Sequence, residues 1–468
     1  MRPQEKSKWS NDVRLRTDSH QRKSMSEHAI DNRPWKEGKD IAMGYAGKVL
    51  MLVENSLPWD HRICKEAQML QKSGYKVTVL SLKWKGQKTR EILDGAIVYR
   101  IPQLELFEKK ASGNNGAFSR IFAQIKSFTG YFVEYFYFSF MCFLLSFYVL
   151  IREGFDVVHA HNPPDTLFII GAFYKIFGKK FVFDHHDLSP ELYLSRFNCE
   201  KNFIYKVLEV FEKLSLKCAD VTIATNESYK RIEIKRGMIK PENVFIVRNG
   251  PDLGMVRVVP KDQDLVRMGK HIIAYCGVMG PQDGVDYLLR AIRILAYDIG
   301  RTDFLCIIIG SGDSLEDLKK LSEELKIQEF VRFTGFIPAA DMYRYLSTAE
   351  ICVDPDPSSP LNDVSTWIKI MDYMALGKPI VTFDLKETRF SARDAAVYVE
   401  PNNEKEFAKG IVKLMDDPNM RRRLGEFGRE RIMNELNWDI VGKNLILAYD
   451  HLFNKKAGGQ RVPEKKYV

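Results

Sequence analysis

Residues Lys48–Leu82, KVLMLVENSLPWDHRICKEAQMLQKSGYKVTVLSL, decide the fold. KVLMLVE is a continuous apolar run of strand length, and NSLPWDHR reads as a loop. ICKEAQMLQKSG then carries apolar residues at helical period, and YKVTVLSL is a second strand. A strand, a helix and a strand joined by short loops make a parallel crossover unit, the building block of a doubly wound sheet.

The same texture recurs along the chain. AIVYRIP, DVVHAH, KFVFDHHD, DVTIAT and VFIVRNG continue the first set of strands, which makes residues 48–255 one Rossmann-like domain. HIIAYCG opens a second set with FLCIIIGSG, VRFTGFI, EICVDPD, PIVTFD and AAVYVEP, so residues 256–438 form a second domain of the same kind. In KIMDYMALGKPIVTFD, Lys369–Asp384, the residues Ile370, Met371, Met374 and Ala375 fall at helical spacing. Gly377 suits a left-handed helix end, and Pro379 starts the next strand. Residues 439–454 read as a helix returning to the first domain. Residues 1–47 form a polar extension without a secretory h-region, and residues 455–468 a basic tail; both are expected to be disordered. The expected fold class is therefore α/β, with two doubly wound domains facing each other across a cleft. Ligands of open α/β sheets bind at the carboxyl ends of the strands.

The chain has 468 residues, enough for two or three cores, with 45% hydrophobic and 28% charged residues as in soluble globular proteins. Seven cysteines stand without CxxC or His-paired spacing, which argues against a zinc cluster or a disulfide framework and for a reducing cytoplasm. A net charge of +9 permits contact with anionic lipid or phosphorylated molecules. YFVEYFYFSFMCFLLSFYVLI, residues 131–151, has the length of a membrane span. Spanning would separate strands of one sheet, so the segment is either a buried crossover helix or one that inserts partly in a membrane interface.

Polar groups concentrate in the loops of the first domain. HAHNPPDT puts His159 and His161 at alternate positions, read as one directed up the cleft and one into the domain. FDHHDLSPELY offers His185, His186, Asp187 and Glu191; with Asp60 and His61 they form the expected acceptor side, able to hold a hydroxyl or phosphate and move a proton. Satisfied loop histidines are the alternative. LCIIIGSGDSLEDL has the GxG turn of a phosphate-binding loop at Gly310 and Gly312, with Leu315 at the third glycine position; a tight turn alone is the alternative. Asp354-Pro355-Asp356 mimics a DxD metal motif, but one that belongs to a single-domain architecture, and no metal is expected.

Seven stretches in register, LPWDHRICKEAQMLQKSGYKVTVL, DVVHAHNPPD, VRNGPD, YCGVMGPQDGVDYLLRAI, IIIGSGDSLEDL, VRFTGFIP and SPLNDVSTWIKIMDYMALGKPIV, resemble glycosyltransferase family 4 from Lys48 to about Phe453. The resemblance implies the GT-B fold and transfer of a sugar from a nucleotide diphosphate sugar with retention, with no essential metal or other cofactor. In the family an E-x7-E segment binds the donor. Asp372 occupies its second, ribose-binding position, while the first falls on Val364, beside Asn362 and Asp363, so Asp363 is the candidate sugar contact. The family's diphosphate-binding Arg and Lys fall on Val278 or Met279 and on Asp283, which leaves Lys369, then Arg248, as the candidate cation. Gly277, Gly310 and Gly312 would line the donor site, and His161 would reach the donor sugar.

The resulting expectation is a cytoplasmic, peripheral-membrane transferase of surface polysaccharide or glycolipid synthesis. Its partners would be a nucleotide sugar, a lipid-linked or glycan acceptor and anionic membrane, with no nucleic acid. A nucleotide-sugar epimerase or hydrolase of the same fold, or a non-catalytic partner-binding homologue, are the alternatives.

Overall fold

A computed structural model describes residues 46–104, 117–197 and 199–453, with side chains in the long helix described from residue 132 onward. The two expected disordered tails lie almost wholly outside the described residues.

The first sheet contains β1 (Gly47–Leu52), β2 (Tyr75–Lys83), β3 (Arg90–Leu93), β4 (Ala96–Pro102), β5 (Val157–His161), β6 (Lys180–His185), β7 (Val221–Ala224) and β8 (Val244–Ile246). Their order is 3-4-2-1-5-6-7-8. All neighbours are parallel except β3 and β4. That antiparallel pair is a hairpin whose turn residues, Asp94 and Gly95, both have positive φ (45° and 85°), as a two-residue hairpin turn requires.

The second sheet contains β9 (His271–Cys276), β10 (Phe304–Ile309), β11 (Val331–Gly335), β12 (Ile351–Asp354), β13 (Ile380–Phe383) and β14 (Ala396–Val399). It is wholly parallel, in the order 11-10-9-12-13-14. Chain direction across the sheet reverses between β1 and β5 in one domain and between β9 and β12 in the other. These are the switch points at which an open α/β sheet leaves a crevice.

Each sheet is buried on both faces. Val49, Met51, Val77 and Val79 point to one face of the first, and Leu50, Leu52, Leu80 and Tyr99 to the other. The second set is covered by the helix Ala117–Arg152, which crosses from β4 to β5 and buries Phe138, Cys142 and Val149. Its outer side stays bare: Phe136, Phe140, Leu144 and Ile151 are 47, 60, 48 and 87% exposed. Spacings of four, four and seven put them on one stripe.

The helix Lys443–Leu452 packs on the other face of the first sheet, with Leu445, Ala448, Tyr449 and Leu452 among that face's core residues. Tyr449 meets Tyr75 edge-on at 5.2 Å, and the Asn444 side chain donates to Ile246 O (2.8 Å).

Candidate active site

The first domain's polar cluster is built on two strand ends and one helix. β5 delivers His159 and His161, and β6 delivers Asp184, which pairs in register with His161. Residues two apart on a strand share a face. The rings of His159 and His161 are accordingly stacked, 4.2 Å between centroids, and both are buried. This corrects the reading that sent them in opposite directions.

The centre of the cluster is Arg62, which the sequence reading missed. Its guanidinium donates to both Asp184 oxygens (3.0 Å each), His186 Nε2 (2.9 Å), Val247 O (3.0 Å) and Asn249 Oδ1 (2.7 Å), and Nε lies 2.9 Å from Glu66 Oε1. Arg62 and Glu66 lie four apart on the helix His61–Lys72, on the side that also buries Ile63, Ala67 and Leu70. Two charges in phase with an apolar stripe were the available signal. Burial lowers the His161 pKa to about 4 although Asp184, 3.5 Å away, favours its charged form; His161 is thus neutral near pH 7. Burial, then the Asp184 charge, raises Glu66 well above the carboxylate range. Donor atoms of Glu66, His159, His161 and Asp184 come within 4.8 Å of one another, close enough to hold a metal. The Arg62 guanidinium pairs with the ionised Asp184, while Glu66 is held protonated beside it and both Glu66 oxygens, His159 Nε2 and His161 Nε2 are buried without a hydrogen-bond partner.

Other expected acceptor residues are dispersed. Asp60 caps the helix His61–Lys72 through Ile63 N, and His61 is exposed at its first turn. Asp187 and His186 follow β6 at the cleft, their amides donating to Asn162 Oδ1. His185 and Glu191 belong elsewhere. His185 is fully buried between Glu233 (3.3 Å) and Glu212 (3.5 Å); burial works against its charge, but these carboxylates raise it to about 9. Glu191 pairs with Arg236, which also holds Glu212. These groups form a network inside the domain and offer nothing to an acceptor.

In the second domain, the turns after β9 and β10 lie backbone to backbone. Gly277 N donates to Ile309 O (3.0 Å) and Met279 N to Ser311 O (3.1 Å). A Cβ on Gly310, whose φ is +123°, would fall 2.0 Å from Gly277 O, and one on Gly312 would fall 2.4 Å from Met279 O. These glycines let the two turns touch.

Lys369 does not stand free for a diphosphate. Its ammonium lies 2.6 Å from Asp356, 3.2 Å from Asp354 and 3.9 Å from Asp283. Burial opposes its charge, but the carboxylates hold it protonated. The DxD-like pair and Asp283 thus take up the cation that the sequence reading assigned to the leaving group. Arg248, the second candidate, is buried over the Phe390 ring (4.1 Å), 3.8 Å from Glu387, and burial lowers it to about 10.

Asp372 lies in the helix Ile368–Ala375, whose start at Trp367 has no side-chain cap. Burial raises its carboxyl to about 7, opposed by the charge of Lys65 from the first domain. Lys65 donates to Gly250 O (2.7 Å) over the Trp438 ring. The Lys65 charge, from the first domain, thus acts on Asp372 in the second. Asp363, in the preceding loop, accepts from Ser358 Oγ (3.2 Å).

Two mainly parallel sheets, each with charged groups at the carboxyl ends of its strands, make the two-domain Rossmann-like GT-B fold. Residues 62–254 match the family described as Glycosyltransferase Family 4, and residues 260–431 match Glycosyl transferases group 1. The chain belongs to glycosyltransferase family 4. An uncharacterized glycosyltransferase of Methanocaldococcus jannaschii is 22% identical over 315 residues, 66% of this chain and 78% of that protein. Sucrose-phosphate synthase from Thermosynechococcus elongatus shares the fold with a TM-score of 0.66 at 16% identity, over 88% of this chain and all of that one. Anabaena HepE, solved in complex with UDP-glucose, has a TM-score of 0.62 at 17% identity, over 87% of this chain and all of that one.

Proposed function

We propose that this chain is a retaining glycosyltransferase that takes a sugar from a nucleotide diphosphate sugar held by the second domain. It passes the sugar to a lipid-linked or polysaccharide intermediate held by the first. The observation that carries this reading is Asp372, half-buried and under the charge of Lys65 from the first domain, at the position that binds the nucleotide ribose in the family. The UDP-glucose complex of HepE supports the donor class at the level of the fold.

Asp372 accepts hydrogen bonds from the ribose. The uncapped N–H groups at the start of the helix Ile368–Ala375 face the diphosphate, a natural place for an anion at a helix N-terminus. With Lys369 committed to Asp354 and Asp356, these N–H groups take the larger share of the leaving group's charge. Neutral His161 offers a hydrogen bond to the sugar without competing for the acceptor proton. The leaving diphosphate oxygen draws that proton on the same face, and domain closure excludes water from the breaking bond. The chain acts in the cytoplasm, docked to the membrane by its aromatic helix, and requires no metal.

A thermal-shift panel of UDP, GDP, ADP, CDP and dTDP on the parent and on Asp372→Ala tests the donor site. A ligand at about 100 times its Kd stabilises the fold by about 2.7 kcal/mol. One nucleotide is expected to shift the parent and leave the variant unmoved; equal shifts in both would remove Asp372 from the donor site. Product analysis with the sugar nucleotide alone separates transfer from epimerisation or hydrolysis, since a transferase turns over only when acceptor is added.

A further inference from the structure

We propose that Asn226 is a positioning residue that makes the shape of the donor loop depend on domain closure; the inference rests on the donor reading above. Asn226 follows β7 in the first domain and is fully buried. Its amide is used on both sides. Oδ1 accepts from Tyr229 N (2.8 Å) and caps the helix Glu227–Gly237. Nδ2 crosses to the second domain and donates to Val364 O (2.9 Å) and Thr366 Oγ1 (2.9 Å). Only a side chain with an acceptor and a two-hydrogen donor on one short stem can do both.

The segment it grips is the loop that carries Asp363 and Val364 and runs directly into the helix of Asp372. From its own domain, among the described residues, the side-chain hydrogen bonds that tie that loop to other segments lie at its front end: Asn362 Nδ2 donates to Gln282 O (2.8 Å) and Pro357 O (2.9 Å). From Val364 to Thr366 the side-chain bonds that reach another element come from the first domain, with the Tyr229 hydroxyl 3.3 Å from Ser365 Oγ beside the Asn226 pair. Nearby, Ser228 N donates to Glu387 Oε1 (3.2 Å), so the contact is a seam with Asn226 at its centre. Opening the domains would strip Val364 O and Thr366 of these partners and free the loop just ahead of the uncapped helix. A donor that needs the ordered loop is then bound well only when the acceptor domain is in place.

The test uses Asn226→Asp and Asn226→Ser. Both residues are good helix caps, and neither can make the two donations, Asp for want of N–H groups and Ser for want of reach. The readouts are hydrogen exchange of the full chain and the Kd of the nucleoside diphosphate that binds the parent, by calorimetry at pH 8. Expected are faster exchange in residues 361–367, unchanged exchange in 227–237, and a Kd raised about tenfold, the scale of one to two lost hydrogen bonds. Parental exchange in 361–367, or a parental Kd in both variants, would overturn the coupling. A parent that binds no nucleoside diphosphate would refute the donor reading instead, and the exchange measurement would still decide whether Asn226 orders the loop.

Discussion

A guanidinium with six polar partners is the residue on which the first domain's cleft depends. Asp184 is fully buried, and without Arg62 it keeps only histidines, of which His161 is neutral near pH 7. Breaking a buried pair from one side costs about 3–5 kcal/mol. Arg62→Met should therefore lower unfolding stability by that amount in urea titrations; a loss under 1 kcal/mol would mean that the cluster is hydrated and loosely held. Asp372 gives an opposite, pH-dependent effect. Its folded value, about 7, lies above the ordinary 3.8, so the unfolded chain ionises first and stability falls as pH rises from 3.8 to about 7, then levels off. Asp372→Asn should raise Tm more at pH 8 than at pH 5, and equal shifts at the two would contradict the burial of this carboxylate. The helix that carries Asp372 was legible in the sequence because Met371, Met374 and Gly377 set both the helix and its end. Arg62 was not, because a charged residue in an amphipathic helix is ordinarily on the wet side, and its partners other than Glu66 lie more than a hundred positions away. Lys369 was misjudged for the same reason: a basic residue near a donor loop invites a phosphate, and only the fold shows Asp354 and Asp356 closing around it.

At the level of elements, the unbroken apolar strands made both sheets readable, since parallel strands covered on both faces carry few polar interruptions. The β3–β4 hairpin escaped notice because its first strand is short and charged. The GxG turn shows a different limit. Glycine in a strand-end turn permits close approach by a phosphate or by other backbone, and the sequence cannot distinguish them. Here the neighbouring turn fills the space above Gly310 and Gly312. Gly310→Ala places a methyl against Gly277 O at a positive φ, and should destabilise the second domain by about 1–3 kcal/mol. Denaturation followed by a probe in that domain checks this; an unchanged midpoint would show that the two turns can separate freely.

Across the whole molecule, the bare stripe of the helix Ala117–Arg152 continues onto the neighbouring helix through Phe143, Phe147 and Phe173, reaching Phe177 and Ile176 (64 and 79% exposed). An apolar surface of this extent on a chain of net charge +9 suits an anionic bilayer. Replacing Phe140 and Leu144 by Ser should abolish flotation with anionic liposomes while thermal stability holds; unchanged flotation would sink the docking proposal. The return of the helix Lys443–Leu452 to the first sheet has a consequence in time. Tyr449 and Leu452 complete a core begun at Val49, so the ribosome must deliver nearly the whole second domain before the first can close its own interior. During translation the earlier half waits with one side of its sheet covered by the helix His61–Lys72 but still lacking its last helix.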